Sequence, residues 1–326
     1  MLNAITDIEG IKVGHASDFM GYTGCTVILC EKGAVCGIDV RGSASGTRQV
    51  DALGVSHIVE QIHGILLAGG SSFGLDAASG VARYLEERNV GFDVGLARIP
   101  IVPSAVIFDL GLGDPKARPT PDMGYEACQK AGNEVEEGSV GAGTGATIGK
   151  IFELPRAMKG GLGTSSLIMP DGLKVAALVV VNAFGDIIDN VTGKIIAGLR
   201  KSENSSEFAN TVKQIKEGAT KKQFGIVNTT LGVVATNAIF NKREITKIAQ
   251  MAQGGLIKTI SPVHTTFDGD LVFALATGEL EADINKVGVL AEFVLTEAIK
   301  RAVKKADGFG IIPAFRDIAK GWKTSR

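Results

Sequence analysis

An α+β fold is predicted by three features of the sequence. Short uncharged runs rich in branched residues, such as Leu231 to Thr236 and Ile65 to Ala68, have the length and composition of buried strands. Other stretches carry apolar residues at helical spacing. The longest, Ile284 to Lys305, places Val287, Leu290, Val294, Leu295, Ile299 and Val303 on one face. The composition supplies a core for both kinds of element, with 45% hydrophobic and 21% charged residues in a chain of 326. That length fits one large domain or two smaller ones, and we read 1–326 as one.

Several function classes are disfavoured at once. Lys+Arg is 34 against Asp+Glu 35, so nothing draws the chain to nucleic acid or to an anionic membrane. The longest apolar run, Val175 to Phe184, is too short to span a bilayer. The N-terminus lacks the basic and apolar regions of a signal peptide, and a cytoplasmic protein is expected. Cys25, Cys30, Cys36 and Cys128 form no Cys-x-x-Cys pair and read as buried free thiols. His15, His57, His63 and His264 are scattered without zinc spacing, so neither a metal nor another cofactor is expected. The 43 glycines are roughly twice the usual ~7% share, which points to tight turns and close backbone approach.

In chain order, Ile11 to His15 opens a first strand. Cys25 to Cys30 and Ala34 to Val40 read as two more, with Glu31-Lys32-Gly33 as a hairpin turn. The loop Asp39 to Arg48 holds two arginines among Gly and Ser, and is either solvated or lines a pocket or interface. Ile65 to Ala68 runs through Gly69-Gly70-Ser71-Ser72-Phe73-Gly74 into a helix ending near Arg88, a turn that could hold an anion on free amides. Tyr125 to Gly132 reads as one or two helical turns. The densest glycine loop, Ser139 to Lys150, resembles a phosphate-binding loop but fails the pattern, because Thr144 stands where a Gly is needed and Ile151 where Ser or Thr is needed. What it does present is Lys150 among small neighbours, where partial burial would call for a partner.

Gly161 to Met169 and Leu173 to Asn182 form a hairpin-like pair turning at Pro170-Asp171-Gly172. Asn182 closes a valine strand, and a buried amide there either ties a loop or faces a ligand. Arg200 to Phe224 is polar and Lys-rich and reads in part as a linker. A capping-box start at Asn241 to Glu244 leads a helix through Ile245, Ile248, Ala249 and Ala252, stopped by Gly254-Gly255. Asp268-Gly269-Asp270 is either a simple turn or two carboxylates aimed at one site. Lys300-Arg301 and Lys304-Lys305 read as a solvated helix face.

The linker-like stretch ends on Asn228-Thr229-Thr230 at the mouth of the Leu231 to Thr236 strand. Threonine is a good strand former, and that alone accounts for it. The other reading is a self-cleavage site that frees Thr229 as an N-terminal nucleophile.

The ordered set Lys12-Val13-Gly14-His15, Thr23-Gly24-Cys25-Thr26, Asp39-Val40-Arg41-Gly42, Gly46-Thr47-Arg48, Gly69 to Ala78, Gly141 to Lys150, Val181-Asn182, Asn228-Thr229-Thr230 and Asp268-Gly269-Asp270 resembles the DmpA-type aminopeptidase and nylon-oligomer hydrolase family of N-terminal nucleophile amidases. The resemblance runs over nearly the whole chain. It implies a four-layer αββα sandwich, no cofactor, a precursor that cuts itself between Asn228 and Thr229, and fragments 1–228 and 229–326 that stay together. It implies catalytic roles for Thr229, Lys150, Asn182, Asp268 and Asp270, a small peptide or amide substrate, and a homo-oligomer, with tetramers recurring in the family. Threonine after asparagine leans towards the nylon-oligomer branch.

In that setting the freed α-amine of Thr229 would act as base for its own hydroxyl, since its unperturbed pKa of about 7.7–8.0 leaves a neutral fraction at pH 7. Asn182 would supply an N–H to the oxyanion. Asp268 and Asp270 would orient the nucleophile and assist the first, self-directed turnover. Two rivals share the architecture: an ornithine acetyltransferase-like acyl transfer enzyme, and an uncleaved binding protein.

Overall fold

The apolar runs become strands because both of their faces are covered. In the computed structural model, which describes residues 1–221, 228–319 and 322, nine strands form one sheet: β1 (Lys12–Asp18), β2 (Thr23–Val40), β3 (Gly46–Arg48), β4 (Gln61–Ala68), β5 (Ser104–Val106), β6 (Gly161–Ile168), β7 (Lys174–Asn182), β8 (Thr229–Ala238) and β9 (Leu271–Leu280). They run in the order β6-β7-β8-β9-β2-β4-β5-β3, with β1 beside β2. The helices are α1 (Ala77–Glu86), α2 (Pro121–Gln129), α3 (Thr211–Lys216), α4 (Lys242–Thr259) and α5 (Ile284–Lys305), before a short turn of helix at Phe315–Ala319.

The sheet folds into two leaves. Ala176, Leu178 and Val180 of β7, Leu231 and Val233 of β8, and Phe273 of β9 meet Ile28 of β2 and Ile65 and Leu67 of β4 in one central core. The alternate residues of the first leaf, among them Val175, Val179, Val181, Val234 and Val272, pack on α4 and α5. Those of the second leaf, Val27, Leu29 and Leu66, pack on α1 and α2. The result is helix, sheet, sheet, helix: the expected αββα sandwich, in which period-2 alternation is apolar on both faces and reads as a continuous run.

Local differences from the sequence reading have identifiable causes. The expected turn at Glu31-Lys32-Gly33 is no turn, because β2 runs unbroken for 18 residues. Its first half pairs with β1 and β4 and its second half with β9, so one strand links the leaves. Gly33, at φ +88°, sits in a register shift against β4, and a left-handed glycine serves a bulge as well as a hairpin. The helix read at Tyr125 to Gly132 starts earlier, at Pro121, under a Thr120 cap. Gly254-Gly255 does not stop α4, which continues to Thr259. A Cβ on Gly255 would stand 3.0 Å from the Glu292 carbonyl, so these glycines let α4 approach α5 closely. Lys300 is buried, not solvated, and bonds Asn190 and Glu297.

The glycine turn after β4 does hold an anion, but an internal one: Gly70 donates its N–H to Asp109 Oδ1 at 2.6 Å. Within the linker-like stretch, Arg200 is buried against the carbonyls of Pro155 and Ala157, and Thr211 bonds Asp186. Residues 222–224 of that stretch lie outside the described residues. All four cysteines are free and buried. Among the described residues no helix is long and apolar enough to cross a membrane.

The capping box at Asn241 and Glu244 is formed in both directions. Asn241→Ala should therefore cost about 1 kcal/mol, read as a lower denaturant midpoint with unchanged slope.

Candidate active site

Sheet pairing draws the distant site residues to one edge. Asn182 is the last residue of β7 and Thr229 the first of β8, and they are register partners. β8 lies parallel to β9 with Leu231 opposite Leu271, so the Asp268-Gly269-Asp270 segment enters β9 beside Asn228 and Thr229. Lys150 arrives on its glycine loop, which is tied across by Gly149 N to Gly185 O and Lys150 N to Phe184 O. All five residues expected to be catalytic are thus brought together, and all are buried.

Their polar groups form two networks. In the first, the Lys150 ammonium donates to Asn182 Oδ1 at 2.7 Å and to Asn182 O at 3.1 Å. Thr147 N donates to the same Oδ1 at 2.9 Å, and Asn182 Nδ2 donates to Phe108 O at 3.1 Å. Burial and the neighbouring Lys221 hold Lys150 well below the usual lysine range, against the opposite pull of Asp268, Asp109 and Glu153. In the second, Asp268 accepts from Phe184 N and from the N–H and hydroxyl of Thr265. Asp270 accepts from Thr230 N at 2.7 Å and from the backbone N–H of His264, whose ring Nδ1 lies 3.1 Å away. Burial, and then the charge of Asp270, push the Asp268 carboxyl up to about 7.

Between the networks lies the Asn228–Thr229 peptide. Its carbonyl oxygen accepts from Gly269 N at 2.7 Å and from the Thr229 hydroxyl at 2.5 Å. Asn228 N is held by Phe267 O at 2.8 Å. One N–H of the Asn182 amide serves Phe108 O, and the backbone donor on the Asn228 carbonyl is Gly269 N. Sequence reasoning named the carboxylates on either side of Gly269 and not the amide between them. It also set His264 aside as scattered, although that residue lies only six positions before Asp270.

The loop Asp39 to Arg48 lines the site, as one of its two readings held. Arg41 N and Gly42 N donate to Asp270 O, and Ala44 N to Asp268 O. A Cβ on Gly42 would fall 2.3 Å from both Asp268 O and Asp270 N. Gly42→Ala should therefore push the Asp-Gly-Asp segment away at a cost of about 1–3 kcal/mol or more, measured as a lower melting temperature together with loss of activity. In front of Thr229 opens a cleft of about 280 Å³ lined by Ala44, Ser45, Gly46, Ser71, Ser72 and the Val106 to Phe108 segment.

Residues 3–310 match peptidase family S58. An uncharacterised aminopeptidase of Mycobacterium leprae is 40% identical, across 96% of this chain and 93% of its own. A 6-aminohexanoate-oligomer endohydrolase of Kocuria is 30% identical, across 91% and 85%. Among solved structures, the L-aminopeptidase D-Ala-esterase/amidase of Ochrobactrum anthropi, described as a variant of the Ntn-hydrolase fold, superposes with a TM-score of 0.71 at 18% identity, covering 94% of this chain and 87% of its own. That likeness concerns the fold, whereas the sequence matches concern descent. With nearly its whole length matched, the chain belongs to peptidase family S58 and is a peptide or amide hydrolase.

Proposed function

We propose that the chain is the precursor of an N-terminal threonine amidase that first cuts its own Asn228–Thr229 bond. The observation that carries this reading is the placement of the Thr229 hydroxyl and the Gly269 N–H on one and the same carbonyl oxygen. Attack of Thr229 Oγ1 on the Asn228 carbonyl carbon turns that oxygen into an oxyanion, and a pre-placed backbone donor is what such a charge needs. The C–N bond then breaks, the Thr229 nitrogen takes up a proton, and an ester joins Asn228 to Thr229 Oγ1. Water hydrolyses the ester, leaving a carboxylate on Asn228 and a free amine on Thr229.

From then on the amine serves as base for the hydroxyl, and an external amide takes the place of the Asn228 carbonyl. The acyl group passes to Thr229 Oγ1, the amine product leaves, and water clears the ester. Asp270 fixes the Thr230 backbone next to the nucleophile, and Asp268 fixes Phe184 beyond Asn182, so both act by positioning. Assembly of processed protomers into a homo-oligomer, a tetramer by family likeness, belongs to the same proposal. Exposed Val289 and Phe293 on α5 are in keeping with it.

Mass spectrometry of the purified protein over time tests the reading. The expected result is a second chain starting at Thr229 and amide hydrolysis that rises with its fraction. A chain that stays whole while hydrolysing amides at full rate would refute it. Acetyl-ornithine with an acceptor amine should not be a better substrate than simple amides.

A further inference from the structure

Asp109 is buried just past the end of β5 and ties three separate segments together. Its carboxyl accepts from Gly70 N at 2.6 Å and from Thr23 Oγ1 at 2.8 Å. The glycine loop packs on it so tightly that a Cβ on Gly145 would stand 2.5 Å from Asp109 Cβ. The same loop is gripped a second time by buried Lys159, whose Nζ donates to Gly143 O and Ala146 O, each at 3.0 Å.

These contacts converge on Asn182. Phe108, the chain neighbour of Asp109, takes one N–H of the Asn182 amide on its carbonyl. Thr147, the chain neighbour of Ala146, gives its N–H to Asn182 Oδ1, which Lys150 Nζ also reaches. A side-chain amide is planar, with one oxygen and two N–H groups. Once the oxygen and one N–H are tied, the direction of the second N–H is set. Among the described residues that second N–H has no partner. Asn182 and Thr229 are register partners on adjacent strands, so their side chains stand on one face of the sheet. Phe108 and Thr229 line the same cleft. A carbonyl attacked by Thr229 Oγ1 would therefore develop its charge beside an N–H whose aim is fixed from both sides.

Resting on the amidase reading, we propose that Asp109 is a positioning residue of the hydrolysis. By binding Gly70 and Thr23 and backing Gly145, it fixes the Phe108 carbonyl, and through it the Asn182 N–H that meets the oxyanion. Asp109 itself touches no reacting atom.

The test is a double-mutant cycle on the full-length chain with a simple amide as substrate. Asp109→Ala is expected to lower kcat/KM about 10- to 100-fold, the scale of a donor displaced by about 1 Å. Asp109→Asn should recover most of that loss, because its oxygen can still take the Gly70 N–H and its amide can donate to Thr23 Oγ1. In an Asn182→Ala background, Asp109→Ala should cost less than about twofold more, since residues that act through one group are not additive. A variant that stays whole is read by its rate of scission before Thr229 instead. If Asp109→Ala fails to fold, Thr23→Val, which removes only the donor on Asp109 Oδ2, replaces it in the cycle with an expected loss of several-fold. No loss, losses that multiply fully across the two backgrounds, or an asparagine variant as poor as alanine would overturn the positioning role and leave the amidase reading standing. A wild-type chain cut at Thr229 that hydrolyses no amide would overturn both.

Discussion

Alanine at position 229 is expected to leave the purified protein as one chain and to lower amide hydrolysis on the order of 10⁴-fold or more, the scale seen when a nucleophile is removed outright. Both losses follow from one atom. Thr229 Oγ1 is the hydroxyl on the Asn228 carbonyl, and once freed it is the group that would hold the acyl ester. The fold should survive, because among the described residues the lost hydroxyl makes a single hydrogen bond, worth about 0.5–1.5 kcal/mol net. Serine at the same place keeps the oxygen and should still split, which separates loss of chemistry from loss of structure. Continued scission before position 229 in the alanine variant would end the proposal. Scission one bond later would move the role to Thr230, whose N–H is already fixed by Asp270.

What the sequence could and could not tell follows from the range of the forces involved. α5 was legible residue for residue, because its apolar stripe and its Asp283 cap are local. The turn at Pro170 to Gly172 was legible for the same reason, and β6 and β7 pair around it. β2 was misread because Gly33 satisfies a bulge and a hairpin equally; only the partners of its two halves, β4 and β9, decide between them. Gly254 and Gly255 misled because their purpose lies on α5, far along the chain. The five expected site residues were nameable from their motifs, whereas their contacts were not. That Asn182 would accept from Lys150 and donate to Phe108 depends on loops 32 and 74 residues away, and that Gly269 would hold the Asn228 carbonyl depends on the parallel pairing of β8 with β9.

Lys150→Met is expected to cost activity without costing the fold. Methionine fills a similar volume, and Asn182 Oδ1 keeps Thr147 N as donor. The loss should be on the order of 10²–10⁴-fold, because Lys150 Nζ fixes the Asn182 amide beside Thr229. Its stability signature has a definite sign. Burial lowers the Lys150 pKa in the folded state, so between that lowered value and 10.5 the unfolded chain binds more protons, and stability rises with pH. Asp268 tilts the other way: raised from 3.8 to about 7, it makes the folded chain bind more protons in that window, and stability falls as pH rises through it. Denaturant unfolding of the uncut Thr229→Ala chain across this range should show both limbs. Adding Lys150→Met should flatten the rise on the alkaline side, and Asp268→Asn the fall on the acid side. Unfolding curves that Lys150→Met leaves unchanged at every pH would mean that its ammonium is solvated, and would withdraw it from the buried network on which its proposed role depends.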